Sequence, residues 1–204
     1  TLFFYPTTTM ATARDILHKW VTRMIMFSLY KTGKVPFENV YLWGMVTDEK
    51  GQKLSKSKGN YGDPMEITAQ YGTDALRLAL SIGITPGNDG KLSEEKIKGY
   101  RNFCNKLWNV ARFVSGRLED SHVDQIRSLH LEESSLLSPA DHWIAEKSNI
   151  AIKQVTTHLN NYRFSEAGET IYHLLWHDFA DCYIEYAKQS LNPEVLTYVL
   201  EVIL

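Results

Sequence analysis

The sequence predicts a mixed fold, in which an α/β region with parallel strands is followed by an all-helical region. Strand-like and helical segments alternate over the first 50 residues, a rhythm typical of a parallel sheet. After residue 92, apolar residues recur at intervals of three and four, which indicates helices packed in a bundle. With 204 residues and 44% hydrophobic content, the chain is long enough to bury substantial apolar surface. A domain boundary is therefore expected between residues 84 and 92.

The α/β region is predicted as strand, helix and strand. Residues 1–5 form an apolar, aromatic run that ends at Pro6, which predicts a buried strand leading into a loop. A helix is predicted from Asp15 to a terminating Gly33. Its expected apolar stripe contains Ile16, Trp20, Met24 and Phe27. The β-rich run 40–46 predicts the second strand, closed by a turn.

The remaining segments carry helix-start signals. Polar capping residues, followed by proline in three cases and by two glutamates after Ser93, predict helices that begin near Asp63, Ser93, Ser138, Ser165 and Asn192. A second short helix fits Asp74 to Ile82, and the polar residues 119–138 suit a linker. Several residues are expected to face the core, namely Ile97, Tyr100, Cys104, Leu107, Ala111, Val114, Trp143, Ile144, Leu175, Phe179, Cys182 and Tyr186.

Composition argues against several classes of protein. A net charge of -2 and a pI near 6.4 argue against a globally basic nucleic-acid binder, although a local basic patch stays possible. Cys104 and Cys182 are the only cysteines and form no CxxC pair, which argues against a disulfide framework and a cysteine-based zinc site. No apolar run approaches the roughly 20 residues of a membrane helix. We therefore expect a cytoplasmic protein that does not bind membranes.

One segment has the composition of a phosphate-binding loop. Four lysines fall within nine residues, interleaved with glycine, serine and asparagine and without acidic partners: Lys50, Lys53, Lys56 and Lys58. Small residues let the backbone approach a ligand, and ammonium groups neutralise oxygens that gain charge in a transition state. A solvated basic loop would have the same lysine count, so the order of the residues decides between the two interpretations.

That order resembles a known signature. Lys53-Leu54-Ser55-Lys56-Ser57-Lys58-Gly59-Asn60 differs by one apolar change from the KMSKS signature of the class I aminoacyl-tRNA synthetases, and Asp63-Pro64 follows it as in that family. The run Thr85-Pro86-Gly87-Asn88-Asp89 is similar to the valyl branch rather than the isoleucyl or leucyl branch. Further similar segments are Arg101-Asn102-Phe103, Trp108-Asn109, Tyr162-Arg163-Phe164 and Tyr183-Ile184-Glu185. The resemblance covers nearly the whole chain.

The resemblance implies a fold and a set of partners. Residues 1–90 would be the C-terminal half of a Rossmann-like α/β catalytic domain, and residues 91–204 an incomplete all-α anticodon-binding domain. The parent enzyme would be an aminoacyl-tRNA ligase that condenses valine with ATP, supplied with Mg²⁺, to an adenylate. It would then transfer the acyl group to tRNA(Val). A mobile lysine loop suits this chemistry, because displacement at phosphorus depends mainly on positioning and charge stabilisation.

The resemblance also implies roles for individual residues. Lys53 and Lys56 would be catalytic, with Lys56 as the main triphosphate contact. Lys53 would also bind ATP, together with Asp15, Gly44, Met45, Val46, Ser55, Lys56 and Ser57. Asp15 would accept hydrogen bonds from the ribose, although a helix cap is an equally good interpretation of it. Trp20 would line the valine pocket, whereas a tryptophan on a helix stripe is otherwise more often core.

The chain departs from the family pattern at several points. Ala13 stands where the family usually has glycine, and Trp43-Gly44 stands where it has His-Gly. No HxGH motif and no editing segment occurs in the sequence, so a polypeptide of this sequence is expected to carry half of an active site and to be inactive alone. His173 and His177 lie one helical turn apart without a third ligand, so no metal site is expected.

Three other functions stay open at this stage. The chain could be a non-catalytic tRNA-binding module, but a pure RNA binder has no need of the lysine loop. It could be an isoleucyl- or leucyl-type relative, which the run 85–89 disfavours. It could also belong to another nucleotidyl-transferring enzyme with a similar loop, which the resemblance of the helical segments disfavours.

Overall fold

The computed structural model describes residues 3–54, 62–117, 137–189 and 192–204. It divides into two compact units. The α/β unit comprises Thr1–Asp63 and Gly83–Glu94, and the helical unit comprises Pro64–Ile82 and Glu95–Leu204. The predicted mixed fold is confirmed. The predicted domains, 1–90 and 91–204, place residues 64–82 with the α/β region, whereas these residues pack within the helical unit.

The α/β unit is built on a strand–helix–strand arrangement, as predicted. Strand β1 (Thr7–Ala13) pairs in parallel with β2 (Phe37–Trp43), in a register that runs from Thr7 opposite Phe37 to Ala13 opposite Trp43. Between them lie a 3-10 turn (Arg14–Ile16), a π-helical segment (Leu17–Val21) and helix α1 (Thr22–Thr32). Gly33 ends α1 with a φ of 69°, a left-handed conformation that favours glycine.

The strand predicted at residues 1–5 is wrong, because β1 begins at Thr7. Phe3 and Phe4 are exposed and precede the ladder, whose first hydrogen bond runs from the Thr7 N–H to the Pro36 carbonyl at 2.9 Å. The threonine cluster after Pro6, which suggested a loop, forms the strand instead. Threonine is β-branched and pairs well on a pleated surface, whereas proline has no N–H to donate.

The predicted inward stripe of the first helix is wrong at two of its four residues, since Ile16 and Met24 are half-buried. Trp20 and Phe27 are exposed, and Val21 is the residue of this segment that is buried. The π-helical turn over Leu17–Val21 holds more residues per turn than an α-helix. A stripe drawn with the α-helical period therefore misses the buried side of this segment.

The strand predicted at 40–46 is two strands. β2 ends at Trp43, and β3 (Val46–Thr47) forms a separate parallel pair with β4 (Gly90–Lys91). The chain changes partner at Gly44-Met45, where contacts from the loop 85–90 replace the strand ladder. The predicted turn that follows is confirmed, since the Gly51 N–H donates to the Asp48 carbonyl at 2.9 Å.

The helical unit contains most of the helices. Its helices are α2 (Pro64–Tyr71), α3 (Thr73–Ser81), α4 (Glu94–Ser115), α5 (Pro139–Asn160), α6 (Phe164–His173), α7 (Ile184–Ala187) and α8 (Pro193–Ile203). A π-helical segment, Leu174–Tyr183, joins α6 to α7. The predicted caps at Ser138 and Asn192 are confirmed, because each side chain accepts a hydrogen bond from a first-turn N–H. No helix in the described ranges combines the length and the hydropathy that crossing a membrane requires.

Aliphatic and aromatic side chains from α4 to α8 form the core of this unit. Its most completely buried members are Val114, Ile144, Leu175, Phe179, Tyr183, Ala187, Val195, Leu196 and Val199. Among the predicted core residues, Cys182 and Tyr186 are exposed, and Tyr100, Cys104, Leu107 and Ala111 are half-buried. The buried positions run four apart, from Leu175 through Phe179 and Tyr183 to Ala187, because the π-helical segment widens the turn. Trp143 also lies at the surface, next to the buried Ile144.

A buried carboxylate connects three segments of the helical unit. Asp141 accepts hydrogen bonds from the Ser138 N–H at 2.9 Å, from the Asn192 amide at 3.3 Å and from the Tyr183 hydroxyl. Burial alone would raise the pKa of Asp141, but these hydrogen bonds outweigh burial and hold that pKa below its usual value. Burial and the Asp141 carboxylate both raise the pKa of Tyr183, so the phenol stays protonated as the donor.

Replacing Tyr183 with phenylalanine is therefore expected to destabilise the helical unit by about 2 kcal/mol, because a buried carboxylate loses its donor. A lowered pKa means that ionised Asp141 stabilises the fold above pH about 4, and that this contribution is lost as the pH falls through the lowered pKa. Urea unfolding of the chain at pH 7 and below pH 4 would measure both effects. Tyr186→Phe, at an exposed tyrosine of the following α7, is the control and should change stability little.

Candidate functional site

The described part of the lysine segment is held by a short turn after β3. The Asp48 carboxylate accepts from the Gln52 N–H at 2.8 Å, and the Asp48 N–H donates to the Gln52 carbonyl at 2.9 Å. This closure returns the chain antiparallel to β3, so that Lys53 bridges to Thr47. The Leu54 N–H then donates to the Val46 carbonyl at 3.3 Å. Lys53 thus starts the signature from a fixed backbone position.

Lys53 lies beside Asp15. The Lys53 ammonium is 3.6 Å from an Asp15 carboxylate oxygen, and each side chain is about half exposed, at 57% and 51%. An ion pair that water reaches this well contributes little to stability. Each group can therefore leave the ion pair and bind a ligand instead, at a small cost in free energy. Asp15 lies in the 3-10 turn directly after the carboxyl end of β1. Parallel α/β sheets commonly bind ligands at the carboxyl ends of their strands.

The break between β2 and β3 lies against the loop 85–90. Gly44 is buried, and a Cβ atom at this position would lie 1.6 Å from the Asn88 carbonyl oxygen. No side chain fits there, so the two backbones pack directly on each other. The Gly87 N–H donates to the Leu42 carbonyl at 2.8 Å, and the Gly90 N–H donates to the Met45 carbonyl at 2.9 Å. Backbone contacts thus fix the conformation of the predicted ATP-binding run Gly44-Met45-Val46.

Two further residues connect this loop to the turn that carries Asp15. The Asp89 carboxylate accepts from the Met45 N–H at 2.8 Å and lies 3.4 Å from the Arg14 guanidinium. Arg14 also donates to the Gly87 carbonyl at 2.9 Å. From sequence, Asp89 was recognisable only as part of a family-like run, and Arg14 had no predicted role. The contacting residues are 44 to 75 positions apart in sequence, so no local pattern reveals the contacts.

The structure brings five of the predicted site residues together in one unit. Asp15, Gly44, Met45, Val46 and Lys53 lie on segments joined by the contacts above. Ser55, Lys56 and Ser57 lie outside the described residues. Trp20 belongs to the same unit, on the π-helical turn, and is 57% exposed. Its exposure excludes a core position for Trp20 within the described residues.

The helical unit carries a cluster of stacked aromatic rings at the edge of its core. Tyr172 stacks on Phe103 at 4.8 Å and on Trp176 at 5.6 Å between ring centroids. The Lys106 ammonium lies 4.2 Å from the Trp176 ring and 2.5 Å from Asp181. The rings of His173 and His177 lie 5.1 Å apart. Among the described residues, no group of three or more histidine, cysteine or acidic side chains is placed to hold a metal ion.

Known protein families match both ends of the chain. Residues 2–93 match tRNA synthetases class I (I, L, M and V), and residues 141–204 match the anticodon-binding domain of tRNA ligase. The chain is 44% identical to the Valine--tRNA ligase of Geobacter sulfurreducens over 98% of its own length. It is 43% identical to the Valine--tRNA ligase of Dehalococcoides mccartyi over 94% of its length. It spans only 23% and 21% of these two relatives.

Solved structures show the same fold at lower identity. The structure of Agrobacterium radiobacter K84 agnB2 LeuRS with tRNA and LeuAMS matches 97% of this chain and 24% of its own, with a TM-score of 0.74 and 21% identity. Mycobacterium tuberculosis methionyl-tRNA synthetase with methionyl-adenylate matches 98% of this chain and 40% of its own, with a TM-score of 0.70 and 22% identity. These likenesses establish the fold of the chain.

Proposed function

The chain belongs to the class I tRNA synthetases of the I, L, M and V group, and from that membership we propose that it is part of a valine–tRNA ligase. The full-length protein would activate valine with ATP and transfer the valyl group to tRNA(Val). The observation that carries the proposal is the identity of 41–44% to valine–tRNA ligases over 94–98% of the chain. The pairing of Lys53 with Asp15 beside the Gly44–Val46 segment supports it, because a nucleotide site needs these groups together.

The α/β unit would hold ATP. The Asp15 carboxylate would accept hydrogen bonds from the ribose hydroxyls, and the backbone of Gly44, Met45 and Val46 would lie against the adenosine. Lys53 and Lys56 would neutralise the phosphate oxygens as pyrophosphate departs. Such electrostatic contacts accelerate the reaction when they strengthen in the transition state. Mg²⁺ would enter with the ATP phosphates, which are its usual partners in such sites.

Lys53 has a specific part in this sequence of events. Its ammonium is paired with Asp15, and both groups are accessible to water. Arrival of the nucleotide would give Asp15 the ribose hydroxyls and Lys53 the phosphates, so each group would exchange one partner for another. The exchange costs little because the exposed ion pair is weak. Transferring the valyl group would then need the tRNA, which the helical unit would bind. The protein would work in the cytoplasm.

The proposal is tested by pyrophosphate exchange with the full-length protein that carries this chain. Valine should support ATP–pyrophosphate exchange far better than isoleucine or leucine, because the pocket must exclude an extra methylene. Stronger exchange with isoleucine or leucine would assign the protein to another branch. Binding of tRNA(Val) without any exchange would make it a tRNA-binding module.

Trp20 gives a prediction about amino-acid choice. If its exposed indole lines the valine pocket, Trp20→Ala in the full-length protein should raise the KM for valine by about tenfold or more. The KM for ATP should change much less. Trp43→Ala, at the other exposed tryptophan of this unit, serves as the matched control and should leave the KM for valine within about twofold of the wild type. Equal increases in both KM values for Trp20→Ala would return it to a structural role.

A further inference from the structure

We infer that Asp89 is a positioning residue for ATP, a role that rests on the function proposed above. Its carboxylate contacts two segments that would each hold part of the nucleotide. One oxygen accepts from the Met45 N–H at 2.8 Å, and the carboxylate faces the Arg14 guanidinium at 3.4 Å. Arg14 directly precedes Asp15, and Met45 is the centre of the Gly44–Val46 segment.

The bond to Met45 fills a gap in the sheet. Met45 lies between the end of β2 and the start of β3, where its N–H has no position in either strand ladder. A backbone N–H without a partner is unfavourable, and Asp89 supplies the acceptor. The Met45 carbonyl is held by the Gly90 N–H at 2.9 Å. Both polar groups of this peptide position are therefore fixed by two consecutive residues, Asp89 and Gly90.

The contact to Arg14 fixes the other segment. Arg14 donates from one nitrogen to the Gly87 carbonyl at 2.9 Å and presents another to Asp89. The loop thus holds both sides of the guanidinium, and with it the start of the 3-10 turn that carries Asp15. Asp15 in turn lies 3.6 Å from Lys53. A chain of direct contacts runs from Met45 through Asp89 and Arg14 to the residues that would meet the ribose and the phosphates.

The exposure of the Arg14 and Asp89 side chains distinguishes a positioning role from stabilisation of the fold. The side chains of Arg14 and Asp89 are 54% and 41% exposed, so their ion pair is well screened by water. Exposed pairs of this kind contribute little to the free energy of folding. Positioning is more sensitive, since a displacement of about 1 Å in a catalytic site can cost far more than the lost contact. Loss of Asp89 should therefore affect ATP more than it affects the fold.

The test compares Asp89→Ala and Asp89→Asn in the full-length protein, by valine-dependent pyrophosphate exchange. Asp89→Ala should raise the KM for ATP by roughly tenfold and leave the KM for valine within about twofold. Asp89→Asn keeps an oxygen that can accept from the Met45 N–H, so it should recover most of the ATP affinity. Glu38→Ala, at an exposed carboxylate of β2, is the matched control and should change neither KM.

An unchanged KM for ATP in Asp89→Ala would overturn the inference. So would parallel increases in both KM values without recovery in Asp89→Asn, which is the result of partial unfolding. If the wild type shows no pyrophosphate exchange with valine, the proposed function fails. Amide hydrogen exchange of the peptide containing Met45 then tests the positioning role of Asp89 independently. Slower exchange of that peptide on adding ATP, lost in Asp89→Ala, would support the positioning role. No effect of ATP on the wild-type peptide would refute it.

Discussion

Replacing Lys56 with alanine in the full-length protein is expected to slow adenylate formation by more than about tenfold, because removing one electrostatic contact of the transition state costs about 2 to 4 kcal/mol. Lys56 is the second lysine of the signature, and the family resemblance makes it the main contact of the triphosphate. The loss should appear in kcat for ATP–pyrophosphate exchange more than in the KM for valine, since the contact strengthens as pyrophosphate departs.

Two further variants make this result specific. Lys53→Ala should have a smaller effect than Lys56→Ala, because Lys53 assists and is partly engaged by Asp15, 3.6 Å away. Lys50→Ala removes a lysine of the same segment from outside the signature, at an exposed position, and should leave kcat within about twofold. A near wild-type rate for Lys56→Ala would contradict the catalytic role of the loop. Equal losses of kcat in all three variants would mean that the loop acts only through its overall positive charge.

Replacing Gly44 with alanine is expected to lower the free energy of unfolding of the α/β unit by about 3 kcal/mol or more, and to abolish exchange in the full-length protein. The new Cβ atom would lie 1.6 Å from the Asn88 carbonyl oxygen and 2.7 Å from the Asp89 nitrogen. Both neighbours are backbone atoms, so no side-chain rotation relieves the overlap. The loop that braces Met45 would have to move away from the sheet.

Gly51→Ala separates steric overlap from backbone strain. Gly51 has a φ of 76°, and no heavy atom lies within 4 Å of its hypothetical Cβ atom. Alanine at this position should therefore cost only the left-handed conformation, about 1 kcal/mol. Urea unfolding, monitored by hydrogen exchange of the β1 and β2 amides, would measure the free energy of unfolding of the α/β unit in both variants. A Gly44→Ala protein as stable as Gly51→Ala would show that the loop 85–90 does not pack on Gly44.

Local patterns predicted much of the fold. The cap and proline signals at Ser138 and Asn192 gave helix starts that the structure confirms, and Gly33 ends α1 in the left-handed conformation. These signals work because each depends on the conformation of a few neighbouring residues. Two of the errors lie where the helical period changes. The π-helical segments Leu17–Val21 and Leu174–Tyr183 moved Trp20 and Cys182 from predicted core to exposed positions.

The candidate site could be predicted only in part. The order of residues in the lysine segment pointed to Lys53, and the family resemblance pointed to Asp15 and the Gly44–Val46 run. The contacts that hold these groups join residues far apart in sequence, such as Arg14 with Asp89 and Met45 with Asp89. An isolated arginine or aspartate carries no local signal of such a partner. The apparently uniform β-rich run 40–46 likewise gave no sign that the strand changes partner at Gly44.

The most direct test of the account is valine-dependent pyrophosphate exchange by this 204-residue chain, alone and mixed with the separately produced remainder of the full-length protein. The chain contributes the lysine loop, Asp15 and the braced Gly44–Val46 segment, while the sequence contains no HxGH motif to complete a phosphate clamp. We therefore expect no exchange by the chain alone and recovery of exchange on mixing, because a site divided between two polypeptides works only when it is reassembled. Exchange by the chain alone would contradict the account, and so would a mixture that stays inactive although the full-length protein is active.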